Sequence, residues 1–120
     1  MAQALSRLRP LNDVLQSDWL RIPGRRKDTT RLLKPEEVEA LVADLGDCQA
    51  WTCEGPWPVD GSLSHWEERL GRAFIRVHRN ALVRRDAVRE MTDQGELVLP
   101  SGQISISQRR MEEVRKALGF

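Results

Sequence analysis

The sequence has no apolar run approaching the roughly 18 residues that a membrane-spanning helix requires. Its first ten residues, Met1 to Pro10, lack the long apolar core and small-residue cleavage site of a secretory leader. The expected location is therefore the cytoplasm. Cysteine is scarce, with Cys48 and Cys53 alone. On one strand their odd separation points them to opposite faces, which disfavours a bridge between them. His65 and His78 do not stand at ligand spacing to the cysteines, so neither a metal nor a cofactor is expected. Aromatics are limited to four Trp and two Phe. Trp51, Trp57 and Trp66 read as core rather than as stacking platforms for single-stranded nucleic acid, and Trp19 as an anchor for the first strand. There is no nucleophile elbow and no glycine-rich phosphate or dinucleotide loop, so no enzymatic activity is expected.

What remains is one domain of 120 residues, 40% hydrophobic, long enough to bury a core without disulfides or metal. The net charge of +1 hides a strong asymmetry. From Arg7 to Arg31, seven basic residues face three acids; from Lys34 to Arg69, nine acids face two bases. From Arg72 to Arg89, six arginines (Arg72, Arg76, Arg79, Arg84, Arg85, Arg89) face Asp86 alone. Local patches, not totals, decide nucleic-acid binding. All six cations of that last segment are Arg, the residue suited to bidentate contact with phosphates and bases.

Turn signals divide the chain into short strands. Trp19–Ile22 reads as a strand stopped by Pro23-Gly24, with a basic hairpin tip at Gly24–Asp28 and a return at Thr29–Leu33. Cys48–Glu54 alternates as a strand. Trp57–Val59 returns, limited by Pro56 and Pro58 to an edge position. Ser62–Gly71 reads as a short helix with Leu63, Trp66 and Leu70 on one face and a Ser64/Glu67 capping box. Further strands are expected at Phe74–Val77, Ala81–Val83, Val88–Thr92, Glu96–Leu99 and Gln103–Ile106. A terminal helix follows over Gln108–Leu118, capped by Ser107. Residues 1–17, with Leu5, Leu8, Leu11 and Leu15 interrupted by Pro10, read as a weak helix or linker preceding a domain over 18–120.

The stretch Phe74-Ile75-Arg76-Val77-His78-Arg79-Asn80-Ala81-Leu82-Val83 places a polar trio between two apolar pulses. Arg pairs well with guanine edges and phosphates, and Asn with adenine edges, so a loop held between two strands and aimed at DNA suits these residues. Together with Ile104-Ser105-Ile106-Ser107-Gln108-Arg109-Arg110 before the last helix, it resembles the LytTR DNA-binding domain. That is the output domain of many bacterial response regulators, and the nearest likeness is to its AlgR-like branch.

The resemblance runs from about Trp19 to Leu118. It implies a mainly β fold of small antiparallel sheets stacked in an elongated sandwich, with one short central helix and a C-terminal helix. Val38–Ala43 has a helical composition, but the likeness puts a strand at Ala40–Ala43, and the strand is preferred. It also implies sequence-specific binding of double-stranded DNA by loops inserted in the major groove. Bases would be read by Arg79, Asn80, Arg109 and Gln49. The loop Asp44–Gln49 lacks the basic or His residue that the family leads one to expect. Phosphate contacts are read at Arg25, Arg26, Lys27, Arg76, Arg84, Arg85 and Arg110, while His78 is read as a structural, inward-facing residue rather than a DNA contact. With no coiled coil or large apolar seam, a monomer is expected in solution, and two copies on a repeated site. In a longer regulator the first 17 residues would join a receiver domain to this one.

Two alternatives belong to other classes. Arg85-Asp86-Ala87-Val88-Arg89 resembles the cyclic-dinucleotide loop of PilZ modules, but the downstream Asp/Asn-x-Ser-x-x-Gly element is missing. A protein-interaction β module could use Trp57 and the acidic middle segment.

Overall fold

The computed structural model describes residues 20–44 and 47–120. Ten strands and two helices are present among them: β1 (Ile22–Arg26), β2 (Thr29–Leu33), β3 (Ala40–Asp44), β4 (Asp47–Thr52), β5 (Gly55–Val59), α1 (Leu63–Leu70), β6 (Phe74–His78), β7 (Ala81–Arg84), β8 (Glu90–Met91), β9 (Glu96–Leu99), β10 (Gly102–Ser105) and α2 (Met111–Leu118). The large sheet has the order β2-β1-β5-β4-β3-β7-β6 and the small one β10-β9-β8. Every pairing is antiparallel. The mainly β, two-helix architecture expected from the sequence is thus present.

Strand periodicity explains the layering. In β7, Leu82 joins one core cluster while Ala81 and Val83 join the other. In β3, Leu41 and Ala40 divide in the same way. The first cluster receives Leu63, Trp66 and Leu70 from α1. The second receives Leu97 and Ile104 from the small sheet and Val114 from α2. The central strands are therefore buried on both faces, which is why Ala81-Leu82-Val83 is a continuous apolar run rather than an alternation. Glu39, buried just before β3, accepts hydrogen bonds from Ser101 N and Ser101 Oγ, both at 2.8 Å. That carboxylate fastens the turn of the small sheet to the large one.

Several boundaries differ from those the sequence suggests. β1 begins at Ile22 and runs through Pro23 and Gly24, leaving only Lys27-Asp28 as the hairpin tip, with Lys27 at φ 41°. Gly24 is not a stop but a close approach, since a Cβ there would sit 2.9 Å from Trp57 Cβ. Trp19 lies outside the described residues. β5 is interior, between β4 and β1, despite its two prolines. The prolines act on one side only. The ladder to β4 spans five residue pairs, whereas β1 meets β5 at Gly24 and Val59 alone. On that side Pro56 O accepts from Arg26 Nη2 at 3.2 Å, a guanidinium doing what a strand would otherwise do.

The helix α1 is capped by Ser62, whose Oγ accepts from His65 N at 3.1 Å; Ser64 is not the cap. Ser107 sits at the cap position of the 3-10 turn Gln108–Arg110 that precedes α2, but its hydroxyl makes no capping bond. β8 is shorter than expected, Glu90–Met91, and the segment before it, Arg85–Ala87, forms a 3-10 turn. Pairing of β6 with β7 slips between Arg76 and His78, so Val77 is a β-bulge residue.

Cys48 is buried on β4 and Cys53 is exposed in the turn after it. Burial pushes the Cys48 thiol from its ordinary 9.0 up to about 11. With the folded value raised, the unfolded chain gives up this proton first. Stability from the neutral buried thiol is whole below pH 9 and is lost as pH rises from 9 through 11. Melting curves across that window should fall less steeply for Cys48→Ala than for the native protein. Equal slopes would contradict this account.

Candidate nucleic-acid interface

One end of the large sheet gathers the polar turns. The two-residue turn Arg79-Asn80 closes the β6–β7 hairpin, and both residues are exposed. Its backbone is tightly held. Asn80 N donates to His78 Nδ1 at 3.1 Å, so the ring supports the turn. The Arg76 guanidinium donates to His78 O at 3.0 Å and to Arg79 O at 2.6 Å. It also pairs with Glu67 Oε1 of α1 at 2.6 Å.

Two neighbouring turns are tied to this one through the backbone. Ala43 N donates to Asn80 O at 2.9 Å, bringing the β3–β4 hairpin end alongside. Ser107 N donates to Val77 O at 2.9 Å, which draws the 108–110 turn to the same end. Gln108 and Arg109 are exposed there, and Arg110 is half-buried. The β3–β4 end carries Asp44 directly opposite Asp47, both exposed. Like charges so placed repel each other and any phosphate brought near. Gln49 lies further along β4, half-buried and paired with Val42 and Pro58.

Of the other predicted cations, Arg26, Lys27, Arg84 and Arg85 are not brought to that end. Arg26 stacks over the Trp57 ring at 3.9 Å and donates to Glu54 O and Pro56 O, with Lys27 next to it at the hairpin tip. Arg84 Nε donates to Val38 O at 3.0 Å. Arg85 donates to Arg72 O at 2.7 Å and to Ala117 O at 3.0 Å. β7 separates Arg84 from the Arg79 turn, roughly 13 Å at the rise of an extended strand. Arg25 pairs with Asp60 at 2.8 Å, and Asp60 follows β5 at the Arg79 end. The phosphate role read for Arg76 does not fit its geometry, because its donors already serve three partners.

Sequence reasoning missed what Arg76 does. The signal available was its position two residues before His78 and three before Arg79, within reach of the turn's own carbonyls. Among the described residues no group of three or more His, Cys, Asp or Glu could hold a metal ion. Among them, too, no helix is long and apolar enough to cross a membrane. Trp57 and Trp66 are core, and Trp51 packs half-buried against the second cluster.

Comparison with known proteins agrees with the fold. A family model for the LytTr DNA-binding domain matches residues 28–119. The positive alginate biosynthesis regulatory protein of Pseudomonas aeruginosa is 28% identical over 104 residues, 81% of this chain and 42% of that protein. The chain thus spans about two fifths of that relative's length. The solved LytTr DNA-binding domain from Bacillus cereus shares the fold, with a TM-score of 0.76 at 24% identity, covering 83% of this chain and 97% of that one.

Proposed function

We propose, on the premise that the chain belongs to the LytTr DNA-binding domain family, that it reads a specific double-stranded sequence for a bacterial transcription regulator. Its turns enter the major groove. The observation that carries this is the gathering of two cationic turns, Arg79-Asn80 and Gln108–Arg110, at one end of the sheet through the Ser107 N to Val77 O bond. Arg79 and Arg109 reach base edges, with Asn80 beside them and Gln49 as an adjunct further back. Arg110 and Arg25 are the nearest candidates for the phosphate backbone. Arg26, Lys27, Arg84 and Arg85 are left out of the contact set, since they lie toward the far end.

The role is binding rather than catalysis, in the cytoplasm, with two copies on half-sites about one helical turn apart so that both face the same side of the duplex. A receiver domain would supply the signal in the longer regulator. The cyclic-dinucleotide alternative loses ground because Arg85, its first arginine, is already committed to Arg72 O and Ala117 O.

The test is a binding titration on duplexes selected from genomic fragments, repeated over a range of salt. With Arg25 and Arg110 as the phosphate contacts of each copy, the log–log slope should be about −2 per bound copy, by counterion release. A flat slope would sink the DNA reading and favour the protein-interaction module.

A further inference from the structure

We propose that Arg76 and Glu67 form a clamp that fixes the direction in which Arg79 leaves the turn. The proposal rests on the base-reading role given to Arg79 above. The argument is one of peptide planes. His78 O belongs to the peptide between residues 78 and 79, and Arg79 O to the peptide between 79 and 80. Arg76 holds both oxygens, through Nε at 3.0 Å and Nη2 at 2.6 Å. Fixing the planes on either side of a residue fixes its φ and ψ, and with them its Cα–Cβ direction. The third bond, from Nη1 to Glu67 Oε1 at 2.6 Å, ties the fork to α1.

The clamp is dry on one side and neutral overall. The Arg76 side chain is 16% exposed, and Glu67 balances its charge. A cation so engaged has little left to offer a phosphate. Three acceptors in three directions also require a planar fork; a lysine ammonium on a flexible stem does not reproduce it. Two further bonds complete the frame, Asn80 N to His78 Nδ1 and Ala43 N to Asn80 O. Arg76 and Glu67 are thus positioning residues: they touch no base, yet they set where the base-reading side chain begins.

Arg76→Lys and Glu67→Ala separate this role from a plain phosphate contact. Glu67 is exposed enough, at 44% of its side chain, for Ala to leave the helix intact. The clamp predicts that each variant loses about tenfold on the selected cognate duplex, the scale of one well-made base contact. Random DNA should be bound as before and the salt slope should not change. A phosphate role for Arg76 predicts instead equal losses on both DNAs for its removal, and a tighter grip for Glu67→Ala, which deletes a nearby negative charge. Either of those patterns overturns the clamp.

Amide hydrogen exchange gives a readout without DNA. Exchange at Asn80 and Ala43 should quicken in both variants, while the β9–β10 ladder stays protected; unchanged exchange at the turn also overturns the proposal. If the native protein discriminates no duplex at all, the DNA reading fails, and the exchange data still decide whether the clamp exists.

Discussion

Arg79→Ala should weaken binding to a cognate duplex by about 1–3 kcal/mol, and Arg109→Ala by a similar amount, each with a smaller loss on random DNA. Among the described residues, no hydrogen bond or ion pair holds either guanidinium, and both residues are exposed. Each is therefore free to spend its donors on a base edge. Base contacts carry sequence information, whereas phosphate contacts fix only position, so the losses should concentrate on the cognate site. Thermal melting of both variants should match the native protein, because neither side chain supports the fold. Folded variants that bind cognate DNA at native strength would refute the site assignment, whatever the family. Arg85→Ala is the contrasting case. It cuts the tether to Ala117 O at the end of α2, so its effect should fall on melting temperature rather than on sequence discrimination.

The largest stability effect is expected at Leu82. It is fully buried at the centre of β7 and packs with Leu41, Trp66 and Phe74 in the cluster under α1. Its neighbours Ala81 and Val83 face the opposite cluster. Leu82→Ala removes a large side chain from a site walled by two sheet neighbours and a helix, where little can collapse inward. The loss should be about 2–5 kcal/mol. For a domain of this size that lowers the melting temperature by roughly 10 °C or more. Denaturant unfolding of the variant is the check. A loss under about 1 kcal/mol would mean that this cluster is not the packed layer described. Because β7 contributes to both clusters, the transition should also stay single, with no half of the domain melting first.

Much of this was legible in the sequence, for reasons that can be named. The Arg79-Asn80 turn showed itself because two apolar pulses bracket a short polar block. The α1 face showed itself because Leu63, Trp66 and Leu70 recur at helical spacing. The strand at Ala40 ran against the helical composition of Glu36–Leu41, and the family likeness decided it correctly; only a 3-10 turn, Pro35–Glu37, answers to that composition.

Other features depend on partners far along the chain. Pro23-Gly24 has the local chemistry of a turn, but its meaning is set by Trp57, which Gly24 must approach closely. The Ser64/Glu67 spacing suggested a cap at Ser64, but the backbone path places the cap two residues earlier, at Ser62. Counting arginines located the basic segment but could not sort it. Whether a guanidinium faces solvent or a carbonyl depends on acceptors such as Val38 O and Ala117 O, which the fold alone supplies.

The bulge at Val77 limits how the hairpin's length can change over evolutionary time or in the hands of an engineer. One residue of β6 has no counterpart across the ladder, so the strand reverses its inside and outside at that point. Deleting Val77 to make a regular ladder would turn Arg76 away from the turn and strip Ser107 of its acceptor at a stroke. Insertions of a single residue near Arg79 carry the same penalty. New binding preferences are thus far more accessible by exchanging side chains on a fixed loop than by lengthening or shortening it. Homologues that differ in hairpin length should show compensating shifts where the last helix begins.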